Sequence, residues 1–339
     1  MNPRLPLQPK SPRAIEPAHK RSTAISDGAN QRNGGFLFVT FKGEETTMTE
    51  QVYFAISRDG RAWESLNDAK PVLVSDIGEK GVRDPFLIRS PVTGSFILIA
   101  TDLSIHRTAH DWKRAVTQGS RSILVWESDD LVRWSAPRLA EVAPPDAGCA
   151  WAPEAVWNAE SGDFLLFWAS TTARDDFAKH RIWAAKTPDF HMLSEPFVYI
   201  EKPSHVIDTT IIRDNNGVYT RFSKDETTKA ITMERSGRLS GTWKPVDAFT
   251  LAGHVGYEGP ACFPLPPTPD APSAWCLLLD HYTVGRGYQA FVAHDLVSGI
   301  FEPATDVQFP YRFRHGSVLP ITSDEIDRLY TAWSTRTIP

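Results

Sequence analysis

The sequence predicts an all-β fold, a ring of five four-stranded blades, and three observations carry that prediction. From Gly34 onward, brief runs rich in Val, Ile, Phe, Tyr and Trp are broken by Gly, Pro, Asp and Asn, and almost no stretch shows the 3.6-residue spacing of an amphipathic helix. Two short patterns each recur five times, alternating along the chain, which is how a β-propeller shows itself in sequence. The order of the two patterns requires the chain's end to complete its first blade.

Residues 1–33 hold five prolines, six basic and two acidic residues with little apolar content, so they read as a flexible arm ahead of a single propeller spanning 34–339. The strands follow as FLFVTF (36–41), VYFAI (52–56), FILIA (96–100), SILVWES (122–128), DFLLFWAS (163–170) and WCLLLDHY (275–282), with turn signals such as SRDG, SGD and DNNG between them. The first repeated pattern is an outer turn ended by an aromatic or apolar residue: SRDGRAW to Trp63, SDDLVRW to Trp134, TPDFHML to Leu193, SGRLSGTW to Trp243 and HDLVSGIF to Phe301. The second is an apolar strand interrupted by one polar residue: VRDPF at Asp84, WAPEA at Glu154, IDTTI at Asp208, YEGPA at Glu258 and RHGSV at His315. Gaps of 70, 54, 50 and 57 residues between the latter exceed the ~40 to 45 of a compact blade and leave room for long loops. The chain opens on an outer turn with no inner strand before it, so RHGSVLPI is expected to pair beside FLFVTF and close the ring.

With 36 basic against 41 acidic residues the net charge is −5, which supplies no global positive field for nucleic acid or an anionic membrane surface. No apolar run approaches the roughly 18 residues of a membrane span, and prolines 3, 6, 9 and 12 stand where a leader would carry its apolar stretch, so a cytoplasmic enzyme is expected. Cys149, Cys262 and Cys276 contain no CxxC pair, which argues against a disulfide framework and a cysteine zinc site. His106 and His110 lie in a loop-like stretch without an HExxH pattern, so catalytic zinc is not expected either.

Innermost propeller strands line the axis and converge at one end. Asp84, Glu154, Asp208, Glu258 and His315 are therefore expected to meet there at one register, four carboxyls and an imidazole suited to acid–base chemistry. Sugar rings present apolar faces edged by hydroxyls. Trp151, Phe86, Trp168 and Tyr257 are the candidate platforms, and Arg121, Arg221 and Arg286 the candidate hydroxyl-binding forks.

VRDPF, WAPEA, IDTTI, EGPA and RHGS, in this order, resemble glycoside hydrolase family 43, five-bladed propellers acting on arabinofuranosides, xylosides and related sugars. GEKGVRDPF, GSRSILVWES, IDTTII, TRFSKDE and RHGSVLPIT resemble the branch that cleaves α-L-arabinofuranosides and β-D-galactofuranosides, and the likeness covers about residues 34–333. The resemblance implies Asp84 as general base, Asp208 as the carboxylate that tunes and orients the acid, and Glu258 as general acid. Glu258, flanked by Gly256, Tyr257, Gly259 and Pro260, has no cationic neighbour in sequence and is expected to favour its protonated form, whereas Arg83 is expected to keep Asp84 ionised. Opposed carboxyls of this kind suit inverting hydrolysis, with the pair roughly 6.5 to 9.5 Å apart. Glu154 is expected to bind a sugar hydroxyl or an Arg. The resemblance makes His315 the axial histidine that helps hold a hydrated cation, often calcium, although the chemistry itself needs no cofactor.

The implied activity is release of terminal furanosyl residues from oligosaccharides or polysaccharide side chains, an α-L-arabinofuranosidase, with β-D-galactofuranosidase and β-xylosidase as alternatives. A retaining fructosidase would want an Asn-Asp-Pro that does not occur, and a mannoside phosphorylase a cationic cluster for phosphate. A non-catalytic glycan-binding propeller is the alternative of a different class, disfavoured by the presence of all three carboxylates.

Overall fold

The computed structural model describes residues 33–268 and 272–333, so the arm expected over 1–33 lies, Asn33 apart, outside the described residues. In chain order, β1 (Asn33–Thr40), β2 (Tyr53–Ser57) and β3 (Glu64–Ser65) come first. The second blade is β4 (Val82–Arg89), β5 (Phe96–Asp102), β6 (Ser122–Ser128) and β7 (Arg138–Glu141), and the third is β8 (Trp151–Asn158), β9 (Asp163–Ser170), β10 (Arg181–Thr187) and β11 (Phe197–Ile200). The fourth is β12 (Val206–Arg213), β13 (Tyr219–Asp225), β14 (Ala230–Ser236) and β15 (Lys244–Pro245), and the fifth is β16 (Glu258–Leu265), β17 (Ala274–Asp280), β18 (Tyr288–Ala293) and β19 (Glu302–Pro303). The final strand, β20 (Gly316–Thr322), pairs antiparallel with β1, from Gly316 opposite Thr40 to Thr322 opposite Asn33. Five four-stranded antiparallel sheets result among the described residues, the first ordered β20-β1-β2-β3. The fold is the five-bladed propeller the repeats predict, closed as expected by the chain's two ends. Two helices accompany the strands among the described residues, α1 (Trp112–Thr117) and α2 (Ser323–Trp333).

The outer-turn pattern lies between the third and fourth strands of each blade, and its chemistry explains the repetition. Oδ1 of Asp59, Asp130, Asp189 and Asp295 each accepts two backbone N–H groups two and three residues ahead, at 2.7–3.0 Å. An Asp side chain that satisfies the backbone of a tight turn lets the chain reverse without a partner strand. In the fourth blade Ser236 takes over, its hydroxyl accepting from the Arg238 N–H at 3.3 Å.

The second pattern contains a β-bulge. In β4, β8, β12 and β16 the ladder to the next strand skips two residues, after Arg83, Trp151, Ile207 and Glu258 respectively. The first residue of each skip is left-handed: Asp84 (φ 50°), Ala152 (φ 46°), Asp208 (φ 48°) and Gly259 (φ 56°). This overturns the expected single register. Asp84 and Asp208 occupy the bulge itself, Glu258 directly precedes it, and Glu154 directly follows it, two residues past the left-handed Ala152 and opposite Phe167. A bulge presents two consecutive side chains where a regular strand presents alternate ones. The Arg83, Trp151, Ile207 and Glu258 slot therefore reaches the same cavity as the Asp84 and Asp208 slot.

Apolar clusters fill the spaces between blades. Leu37, Phe54, Leu98 and Trp126 pack between the first and second, and Phe38, Trp63, Phe263 and Tyr288 between the first and fifth. α2 buries Ile326 and Leu329 against the former, while Glu325 receives both Nη1 and Nη2 of Arg89 at 2.7 and 2.8 Å.

Candidate active site

The inner strands of all five blades open onto one cavity of about 550 Å³. Asp84, Asp208, Glu258, His315 and Trp151 all lie on its wall. Asp84 Oδ2 accepts from the Thr101 hydroxyl at 2.8 Å, and Oδ1 lies 3.3 Å from His315 Nδ1. The same Nδ1 is 3.9 Å from Asp208 Oδ1, and Asp208 Oδ2 accepts the Gly259 N–H at 3.2 Å. Glu258 receives Lys224 Nζ on Oε2 and Arg314 Nη2 on Oε1, both at 2.9 Å.

Burial alone would push the His315 ring toward neutrality, but the Asp208 and Asp84 carboxylates outweigh it and raise its pKa to about 9. Burial also raises Asp84, yet the His315 charge, with Arg83 and Thr101 in support, brings it below the usual carboxylate value. Asp84 is thus ionised as expected, chiefly through the imidazolium. Arg83 itself pairs with Glu44 at 2.9 Å and Glu50 at 3.3 Å. Desolvation leaves Asp208 raised.

Glu258 differs from the sequence expectation. Burial favours its neutral form, but Lys224 and Arg314 overcome that and lower its pKa. Both cations come from other segments, which is why its sequence neighbours do not reveal them. Each is shared: Lys224 also holds Glu226 at 2.7 Å, and Arg314 Nε holds Asp280 Oδ2 at 2.6 Å. Asp280, fully buried opposite Glu258 in the ladder, is raised by desolvation despite Arg314.

Of the eight expected substrate-binding residues, the structure brings Trp151 to the cavity and not the others. Phe86 packs between the second and third blades, as does buried Trp168, whose Nε1 donates to the Ser170 hydroxyl at 3.1 Å. Tyr257 is stacked on His281 with ring centroids 4.2 Å apart, and its hydroxyl donates to Gln289 Oε1 at 2.7 Å. Arg121 pairs with Glu141 at 2.7 Å, Arg221 is buried against Glu234 at 2.8 Å, and Arg286 is exposed off the cavity wall. Glu154, carried past the bulge, is buried with Oε2 unpartnered, and desolvation raises it to about 8. It lies off the cavity wall.

Sequence reasoning missed Lys224, Arg314, Glu226, Trp112, His180 and Tyr282, all on the wall. Arg314 adjoins His315 in RHGS and Lys224 lies in TRFSKDE, so a signal was present for both. Trp112 is delivered by α1, started where Asp111 Oδ1 accepts the Arg114 N–H at 2.9 Å.

The fit of a cation beside His315 is tested by its surroundings. Its Nδ1 faces the Asp84 and Asp208 carboxylates at 3.3 and 3.9 Å. Among the described residues no group of three or more His, Cys, Asp or Glu is arranged to hold a metal. No helix among the described residues is long and apolar enough to cross a membrane.

An α-L-arabinofuranosidase of Bifidobacterium longum subsp. longum is 29% identical over 263 residues, covering 68% of this chain and 24% of that protein, so the chain spans about a quarter of this relative's length. A thermostable family-43 glycoside hydrolase has a similar solved structure, with TM-score 0.53 and 16% identity over 74% of this chain and 82% of that one. A family-43 β-1,3-galactosidase has TM-score 0.52 and 14% identity over 74% and 51% of the respective chains; at such identities both share the fold. Residues 32–327 match the family described as "Probable glycosyl hydrolase domain", the family-43-related group, and with most of its length so matched the chain belongs to that family of glycoside hydrolases.

Proposed function

We propose that this chain is an exo-acting, inverting glycoside hydrolase that releases terminal furanosyl residues, of the α-L-arabinofuranosidase kind. The observation that carries the reading is the meeting of Asp84, Asp208 and Glu258 around His315 in one cavity walled by all five blades. The glycone rests on the arabinofuranosidase relative, with β-D-galactofuranose or β-D-xylose as alternatives that the same carboxylates would serve.

In this reading ionised Asp84 takes the proton of the attacking water, held in place by Thr101 and His315. Glu258 gives a proton to the leaving oxygen. The chain of contacts Lys229, Glu226, Lys224, Glu258, Arg314, Asp280 holds three carboxylates and three cations. Asp208, whose negative charge repels that of Glu258, favours the protonated acid. Phosphorolysis is less well supported: Arg83, Lys224, Lys229 and Arg314 on the wall are each already paired with a carboxylate.

Proton NMR of the sugar first released from an aryl α-L-arabinofuranoside tests the proposal. Inverted anomeric configuration, independent of phosphate, is expected. Retained configuration would reject the mechanism, and no turnover across a panel of aryl furanosides and pyranosides would reject the enzyme.

A further inference from the structure

We infer that Trp112 is the platform for the leaving part of the substrate: an uncharged sugar ring beyond the scissile bond rests its apolar face on this indole at the rim of the cavity. The inference deepens the proposed function and rests on that reading, since it takes the cavity for a glycosidase site.

Trp112 opens α1 and lies on the cavity wall. It is 42% exposed, and of the large apolar side chains exposed among the described residues it is the one on that wall. Single exposed apolar residues are ordinary on a protein surface. An indole left open in a cavity is different, because a ligand with an apolar face can cover it and gain free energy by doing so. The other indole and the phenol on the wall are less open. Trp151 is half-buried with the His180 ring centroid 5.2 Å away and the planes inclined by 30°, and Lys224 Nζ lies 4.3 Å from the centre of the half-buried Tyr282 ring.

The indole is also held in place. α1 is tied down by Arg114 Nη1 on Glu79 Oε2 at 2.6 Å, by burial of Ala115 with Leu103 and Ile105, and by the Gly119 N–H donating to the Gly148 carbonyl at 2.8 Å. Trp112 stands nearly perpendicular to Trp151, with planes at 81° and centroids 6.2 Å apart, and the Arg83 guanidinium lies 5.5 Å from its ring centre. A platform fixed in this way loses little freedom when a ligand arrives. Arg83 is already paired with Glu44 and Glu50, so the cation at the indole is spent and the arrangement suits an uncharged ring.

Depth assigns the part of the substrate. The side chains of Asp84, Asp208 and Glu258 keep only 14, 10 and 18% of their surface exposed, so the bond is cut on the cavity floor, whereas Trp112 stands at the mouth. The sugar to be released occupies the floor between base and acid. What reaches the rim is the sugar on the other side of the cut bond.

Trp112→Ala removes the platform, and Trp112→Phe restores a smaller one. On an arabino-oligosaccharide, Trp112→Ala is expected to lower kcat/KM roughly tenfold, mostly through KM, and Trp112→Phe to recover part of that loss. On methyl α-L-arabinofuranoside, whose leaving group carries no ring, the fall is expected to be distinctly smaller. No fall on the oligosaccharide overturns the inference, and so do equal falls on both substrates, which a merely structural role would produce. Calorimetric titration of Asp84→Asn, in which the oligosaccharide stays uncut, separates binding from turnover. Arabino-oligosaccharide should bind Asp84→Asn roughly tenfold more tightly than it binds the same chain carrying Trp112→Ala as well. Equal affinity, or no binding by Asp84→Asn, overturns the inference even where the native chain hydrolyses the oligosaccharide. Binding weakened by Trp112→Ala with no hydrolysis by the native chain upholds the platform and overturns only the catalytic reading.

Discussion

Asp84 and Glu258 sit in one cavity with opposite neighbours, and their substitutions should therefore fail differently. Asp84→Asn removes the group that activates water and should cost at least ~10²-fold in kcat whatever the leaving group. Glu258→Gln should recover much of its rate on an aryl glycoside whose phenolate departs without protonation. Equal responses of both variants to leaving-group pKa would refute the assignment of acid and base. Asp280 supplies a sharper test of what surrounds the acid. Without its charge, Arg314 acts on Glu258 alone and lowers the pKa of the acid, so the protonated form is lost at lower pH. The alkaline limb of the kcat/KM profile of Asp280→Asn should move down by roughly one pH unit, the usual scale for one charge at this range. A limb that stays or moves up would remove Asp280 from the chain of contacts.

The inner strands show how an element delivers chemistry. In β4 and β12 the bulge brings two consecutive residues to the cavity, Arg83 with Asp84 and Ile207 with Asp208, and the left-handed residue of each bulge is costly for any side chain but glycine's hydrogen. Asp84 and Asp208 tolerate it because their carboxyls are held there, by Thr101 and His315 in one case and by the Gly259 N–H in the other. Gly259 is required for a different reason: a Cβ there would stand 2.5 Å from His315 Cγ. Gly259→Ala should displace His315 from Asp84, lowering kcat by an order of magnitude or more while the far-ultraviolet dichroism stays native. Full activity in this variant would show that the position of His315 is not critical.

Closure belongs to the whole molecule. β20 is the innermost strand of the first blade, contacting β4 and β16, and it also carries His315 to the axis at its leading end. α2 follows it and seals the base with Ile326, Leu329 and the Glu325 pair to Arg89. Removing α2 from Ser323 should lower the melting temperature, with about 3 kcal/mol lost from the two buried side chains alone, and leave activity measurable. Removing the chain from Gly316 should abolish the cooperative melt, because β1 then exposes an unpaired apolar edge. Two truncations with the same melting behaviour would contradict a ring clasped by β20.

The sequence alone determined the strands, the five repeats and the closing pair, because these depend on local patterns: alternation of side chains, Asp-capped turns and recurring motifs, while the resemblance singled out Asp84, Asp208 and Glu258. It did not determine which side chains face the cavity. The bulges shift Glu154 past the axis and bring Trp151 and Glu258 to it, and an offset of one or two residues of that kind leaves no mark in composition or spacing. Nor did it determine the charge on Glu258, the neutrality of His180 or the imidazolium at His315. Those are set by Lys224, Arg314, His205 and Asp208, which are remote in sequence and adjacent only once the ring has closed, since electrostatic and desolvation effects depend on distance through space.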